Sequence, residues 1–314
     1  MSQIRQRRRA RRRPAFTIVE IIVVVAIIAV LISLSAAAIF RAIPSQQLSS
    51  TRTVISQIDT ELQKQWNTTT NNYTKEPINS YTPGDVYSFY PTAQSWANGN
   101  NDLARVIWVK FRQKQNYPTS FAEASNPAPL PPDPYFVRQL TQLGYSIPYN
   151  GAPQPWESSA CLLMALSRGT NGGGLPPEML GSGTVKTYTT PNGKTVQGLV
   201  DGWGNPIVFC RWPVFSTYLN PNGAPQAGNK NDPVDPSGLL ISTTWQATGG
   251  YTNFQNALHP VPKHTGTAMT YRVYPLIVSA GPDQALGLNP ANFLQTTNAS
   301  QAADDVYPVL GNFQ

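Results

Sequence analysis

Glu20 is the residue whose chemistry is most constrained by its neighbours in this sequence. It stands at the head of a run of 20 residues, Ile21–Phe40, that contains no charged side chain. If that run lies in a membrane, a carboxylate within it costs on the order of 3 kcal/mol unless a positive group neutralises it. The sequence therefore predicts a cationic partner for Glu20.

The uncharged run is long enough to cross a bilayer. A helix of 20 residues is about 30 Å long, which matches the thickness of the hydrocarbon layer. Seven arginines lie between Gln3 and Pro14, and such clusters stay on the cytoplasmic side of the membrane. We therefore expect a single-pass membrane protein, with its N-terminus in the cytoplasm and everything after Phe40 on the outer side of the membrane.

The residues Ala15-Phe16-Thr17-Ile18-Val19-Glu20 resemble the N-terminal motif of type IV pilins and type II secretion pseudopilins. In that family a prepilin peptidase removes the basic leader before a phenylalanine, which is then N-methylated, and a glutamate lies four residues further on. The resemblance implies cleavage between Ala15 and Phe16 and N-methylation of Phe16. Alanine stands here where the family usually has glycine. The new amine, with a pKa of about 7.7 to 8.0, would be largely cationic and would neutralise Glu20 of a neighbouring subunit.

Removal of the leader would also remove the excess charge. Of the 23 Lys and Arg residues, seven precede Phe16, and the remainder equals the 16 Asp and Glu residues. The isoelectric point near 9.4 therefore describes the precursor. Since the exported part has no net positive charge, we predict no nucleic-acid partner.

An ordinary signal peptide is the alternative reading of the N-terminus. The arginines, the apolar run and Ala36-Ala37-Ala38 also fit a signal that is cut after Ala38. The product would be an exported or membrane-anchored binding protein, with polysaccharide as a candidate ligand. The apolar run is longer than the usual 7 to 15 or so residues of a signal, which favours a retained helix.

A long stalk helix is predicted to follow the membrane segment. Apolar residues between Ile39 and Trp66 recur every three or four positions, which is typical of one helix face. Pro44 predicts a kink or local melting. With the pilin resemblance, the fold class is α+β, a long N-terminal helix packed on an antiparallel sheet. The predicted divisions are a leader (1–15), a transmembrane and stalk helix (16–66), a loop-rich inserted lobe (67–156) and a β-rich head (157–314).

Weaker patterns predict the local structure of the exported part. We expect loops with short strands over 67–101, and a strand or short helix over 103–115. Ser158 is the expected N-cap of a helix that Gly169 ends. The remaining predictions are a helix over 135–143, a hairpin around Pro191-Asn192-Gly193, and strands over 207–209 and 271–279.

A second resemblance lies in the C-terminal half. Asp201-Gly202-Trp203-Gly204-Asn205-Pro206, followed later by Ser279-Ala280-Gly281-Pro282-Asp283, is similar to the head of the major pseudopilin of type II secretion. The first motif predicts a tight turn. The resemblance implies calcium in the later loops, with oxygen ligands from Ser279, Asp283, Asp304 and Asp305. Solvated turn aspartates are the alternative.

Few residues in the sequence suggest catalysis. His259 and His264 stand beside prolines in a loop segment without metal-ligand spacing, so we predict no enzyme. Cys161 and Cys210 predict either a disulfide or two buried thiols. Both resemblances together imply a structural subunit of a type II secretion pseudopilus or type IV pilus-like filament that supports protein export. Its implied partners are other subunits, the prepilin peptidase, the inner-membrane assembly platform and lipid. The implied location is the bacterial inner membrane, with the C-terminal domain in the periplasm, and then the filament after assembly.

Overall fold

A computed structural model describes most of the chain. The described residues are 17–76, 85–169, 174–181, 183–216, 218–221, 231–259, 261, 271–287 and 304–308, with the side chains of 37, 38 and 41 left out. Contacts divide the chain into two units, residues 1–46 and 47–314. The predicted leader and Phe16 lie outside the described residues.

Helix α1, Ile18–Lys75, is the longest element, with 58 residues. The helix is unbroken at Pro44, so the predicted local melting is wrong. One missing hydrogen bond, at a cost of about 3 kcal/mol, is outweighed by the regular turns on both sides. The helix also continues beyond Trp66, through a stretch rich in Asn and Thr that has poor helix propensity.

Side chains of the head explain why α1 continues to Lys75. The Gln113 side chain donates to Thr70 Oγ1 at 3.0 Å, and the Asn116 side chain donates to the Tyr73 hydroxyl at 2.7 Å. The Thr69 hydroxyl lies 3.3 Å from that of Tyr117. These tertiary contacts override the weak local propensity.

The first unit, in its described part, is helix only. Its apolar side chains are exposed, and the segment Ile18–Ala36 is long and apolar enough to cross a membrane. The same length and composition also suit a signal sequence. A membrane-spanning helix is therefore compatible with the structure, as is the alternative reading.

The second unit begins with helices packed on α1. Ile55, Ile58 and Leu62 of α1 have no exposed surface, and they share one core with residues from both the 67–156 and 157–314 ranges. The loops with short strands expected over 67–101 are wrong in their strands: the described residues of this range form helices joined by short turns. The helices are α2 Tyr90–Trp96, α3 Asn101–Asn116, α4 Phe121–Ser125, α5 Pro134–Gln142, α6 Glu157–Arg168, α7 Thr243–Gln246 and α8 Gly249–Ala257, with 3-10 turns at Val86–Phe89, Pro177–Leu180 and Leu239–Ile241.

The strands form two separate antiparallel pairs. Strand β1, Val185–Thr189, pairs with β2, Thr195–Leu199, across the predicted Pro-Asn-Gly turn. Strand β3, Val208–Cys210, pairs with β4, Leu276–Val278. The mixed α+β class is confirmed, but the described strands make two small sheets, and β4 is shorter than the strand predicted over 271–279.

Ser158 closes the free edge of β3. The predicted N-cap role is wrong, because α6 starts one residue earlier and Trp156 precedes it without a side-chain cap. Instead, the Ser158 hydroxyl accepts the N–H of Phe209 and donates to its carbonyl, both at 2.9 Å. One hydroxyl thus satisfies both backbone groups that a third strand would have paired. Gly169, at φ +63°, ends α6 as predicted.

Candidate functional site

Glu20 takes part in a capping box at the start of α1. Its Oε2 accepts the backbone N–H of Thr17 at 2.8 Å and the Thr17 hydroxyl at 3.0 Å. In return, the Thr17 hydroxyl accepts the backbone N–H of Glu20 at 3.2 Å. This reciprocal exchange satisfies N–H groups that the first turn of a helix leaves without partners.

The capping box gives Glu20 a local role beside the predicted charge pairing. Within the described residues, both hydrogen bonds of its side chain are to Thr17, and the side chain is exposed. A carboxylate engaged in this way still carries its full charge, and it remains accessible to a cation from another molecule. Ala15 and Phe16, the other members of the predicted processing motif, lie outside the described residues.

Asp201 is the centre of the C-terminal motif. Its side chain is buried, and its Oδ1 accepts the N–H groups of Trp203 and Asn205, each at 2.9 Å. Its Oδ2 accepts the hydroxyl of Ser279 at 2.6 Å. The predicted tight turn is confirmed, and the same carboxylate ties it to a residue 78 positions further along the chain.

Two further contacts fix this turn in the head. The Gly202 N–H donates to Thr51 Oγ1 of α1 at 2.9 Å, and the Asn205 side chain donates to the carbonyl of Gly281 at 3.1 Å. Ser279 exchanges backbone hydrogen bonds with Val306 at 3.0 and 3.1 Å. The turn therefore joins α1 to two C-terminal loops, the one that follows β4 (279–287) and the one that contains Val306 (304–308).

The four residues predicted to bind calcium differ in how well they fit a cation. The Ser279 hydroxyl is already engaged by Asp201 and by the Gly281 N–H. Asp283 is exposed, and its Oδ1 accepts the N–H of Ala285 within its own turn. Asp304 and Asp305 are half-buried. Asp304 Oδ1 accepts no hydrogen bond from the described residues, and the donor nearest the Asp305 carboxylate is the backbone N–H of Gly287.

The electrostatics of the aspartate pair would also favour a nearby cation. Burial raises the pKa of Asp305 to about 7, and the charge of Asp304 adds to the effect. The nearby N–H of Gly287 lowers that pKa, but not enough to offset burial. Gly281, at φ +67°, packs closely against Asp304, since an added Cβ would lie 2.9 Å from Asp304 Oδ2. Among the described residues, however, no three His, Cys, Asp or Glu side chains converge on a metal position.

The other residues singled out in the sequence lie in the core. Cys161 and Cys210 are buried thiols without a disulfide between them. His259 is in a loop, as predicted, and its ring packs on Trp212 and Phe254, while His264 lies outside the described residues. The seven tryptophans are buried or partly buried.

Two features escaped the sequence reasoning. The capping box could have been predicted from the sequence, because Thr17 stands three residues before Glu20, the spacing that such a box requires. The buried pairs of Arg211 with Glu123 and Lys110 with Asp232 join residues far apart in sequence, and no local pattern signals them.

No protein-family model, no curated protein and no solved structure matches the chain.

Proposed function

We propose that this chain is a non-enzymatic structural subunit of a type II secretion pseudopilus or a type IV pilus-like filament that supports protein export. The observation that carries the proposal is the contrast along α1. Over Ile18–Ala36 the helix exposes apolar side chains on all sides, whereas Ile55, Ile58 and Leu62 of the same helix are fully buried in the head. A helix that is apolar all round must be covered by lipid or by other helices.

Such a helix suits a subunit that waits in the membrane and then enters a filament. Lipid covers the apolar segment before assembly, and the same segments of neighbouring subunits cover it afterwards. The pilin fold is part of this proposal, with α1 as the stalk and the small antiparallel strands as the head. The partners are then other subunits, the prepilin peptidase and the assembly platform of the inner membrane.

The continuity of α1 favours retention of its first half. A signal peptidase cut after Ala38 would sever a helix that runs without interruption from Ile18 to Lys75. The alternative, an exported carbohydrate-binding protein, gains no support from the tryptophans, all of which are at least partly buried.

A calcium ion in the C-terminal loops belongs to the same proposal. Asp304 and Asp305 would hold it, because their carboxylates are half-buried, have few hydrogen-bond donors among the described residues, and are the kind of ligand that calcium prefers. Asp283 would add negative charge from the edge of the site, and backbone carbonyls would complete the coordination. The role of the ion would be to neutralise the buried carboxylates and hold the two loops together.

The mature N-terminus tests the proposal directly. Sequencing of the purified protein should find N-methyl-Phe16. An N-terminus at Ile39 would instead identify a secreted protein, and one at Met1 or Ser2 a plain membrane anchor. As matched variants, Ala15→Gly should be processed at least as well as the wild type, while Ala15→Asp should accumulate as the full-length precursor. Normal maturation of Ala15→Asp would exclude the prepilin peptidase.

A further inference from the structure

Lys110 and Asp232 form an ion pair in the interior of the head. Nζ of Lys110 lies 2.6 Å from Oδ2 of Asp232, and their side chains are 0% and 2% exposed. The indole of Trp212, with its centroid 6.0 Å from Nζ, forms part of the wall. An ammonium carries three N–H donors, yet the only hydrogen bond of this one within the described residues is to Asp232. A buried ammonium with a single hydrogen bond to the described residues carries a large desolvation cost.

The two oxygens of Asp232 have different partners. Oδ2 faces the lysine, while Oδ1 accepts the backbone N–H of Val234 at 2.9 Å. The Nζ–Oδ2 contact holds the amine beside the carboxyl group. A backbone donor is already placed on the oxygen that would become negative if the nitrogen attacked this carbon. Such proximity and preorganised stabilisation are what acyl transfer requires.

We propose that Lys110 and Asp232 condense to form an intramolecular amide bond. In the first step a proton passes from Nζ to Oδ2 across their 2.6 Å contact, which leaves an amine and a carboxylic acid. The Nζ lone pair attacks Cγ, and the electron pair of the Cγ–Oδ1 double bond moves to Oδ1, where the Val234 N–H holds it. A second proton then passes from Nζ to Oδ2. The Cγ–Oδ2 bond breaks, one water leaves, and the double bond to Oδ1 re-forms.

The site contains what this reaction needs and limits what would compete with it. Both atoms of the new bond come from the chain, and no oxidant, metal or cofactor takes part. The common side reaction of aspartate, attack by the next backbone nitrogen, is blocked because Pro233 has no N–H. The product would join α3 to a loop 122 residues further on and would replace a buried ion pair with a neutral amide.

Mass spectrometry of the purified, detergent-solubilised full chain tests the proposal. After tryptic digestion, the segments containing Lys110 and Asp232 should be recovered as one branched peptide, lighter than their sum by one water molecule. Trypsin should not cut after Lys110. Lys114, which is also largely enclosed and donates to the carbonyls of Ala128 and Ala257, is the internal control and should be cut normally.

A variant separates condensation from simple inaccessibility. Lys110→Arg keeps the charge but replaces the amine with a guanidinium, which is a poor nucleophile, so the branched peptide should disappear and cleavage at this position should return. The proposal is overturned if wild-type protein yields both segments separately at their unmodified masses, with cleavage after Lys110. That measurement uses the wild type and does not depend on whether the variant folds.

Discussion

The two roles of Glu20, helix cap and counter-charge, predict different outcomes for three substitutions. Glu20→Gln keeps an oxygen that can accept the Thr17 N–H, so it should preserve the capping box and remove only the charge. Thr17→Ala removes the hydroxyl that bonds the Glu20 N–H and leaves the charge in place. Glu20→Leu removes both the cap and the charge.

The magnitudes separate the two roles. An amine left without its counter-charge inside an apolar bundle costs about 3 to 5 kcal/mol per contact. At about 1.4 kcal/mol for each factor of ten, this lowers the assembly constant by roughly two to three and a half orders of magnitude. Loss of the cap costs only about 1 kcal/mol. Glu20→Gln and Glu20→Leu should therefore abolish filaments, and Thr17→Ala should reduce them less than tenfold.

The assay measures monomer and filament in parallel. Monomer abundance in the membrane fraction should be equal or higher for Glu20→Leu, because the membrane no longer has to accommodate a carboxylate. Sheared or crosslinked filament should be lost in both Glu20 variants. Abundant filament from Glu20→Gln together with its loss in Thr17→Ala would refute the charge pairing and would reduce Glu20 to a helix cap.

Three further predictions concern the head, each read from the thermal unfolding of the full chain. Ser158→Ala leaves two backbone groups of β3 without partners and should cost about 1 to 3 kcal/mol, whereas Thr53→Ala, which loses only an exposed bond within α1, should change stability little. An equal loss in both would show that the closed edge is not special. Gly202→Ala places a Cβ against α1 and should cost about 1 to 3 kcal/mol, while Gly249→Ala, with open space around it, should be neutral or stabilising. Asp305 has a folded pKa of about 7, above its unfolded value, so its stabilising contribution is lost as the pH rises through 7. With a calcium chelator present, the Tm of the wild type should therefore fall as the pH rises from about 5 to 8, and the Tm of Asp305→Asn should fall less. Added calcium at the higher pH should restore the Tm of the wild type but not that of the variant. If calcium does not change the Tm of the wild type, these aspartates do not bind calcium and are solvated turn residues.

Local signals in the sequence were sufficient where one segment decides its own structure. Pro191-Asn192-Gly193 supplies the turn residues of a hairpin, and the strands pair across it in register. The helix predicted over 135–143 lies within one residue of the observed ends of α5, and Gly169 ends α6 as predicted. The Asp201 turn was predicted because Gly, Asn and Pro stand at turn positions.

Long-range partners were beyond the reach of such signals. Ser158 has the sequence features of an N-cap, but the edge of β3, 51 residues away, competes successfully for its hydroxyl. The stretch after Trp66 has the composition of a loop, and only the side chains of α3 keep it helical. The aspartates at 304 and 305 were predicted as calcium ligands together with Ser279, whose hydroxyl is instead bound to Asp201.

If the head is exported as proposed, its two buried thiols set a time limit on its folding. Burial raises the pKa of Cys210 to about 12 and that of Cys161 as well, so in the folded head neither forms the thiolate that reacts with disulfides. The unfolded chain has no such protection when it emerges into an oxidising compartment. The head must therefore enclose both sulfurs before an oxidant reaches them, because a disulfide formed too early would join two positions that the native core keeps as separate thiols.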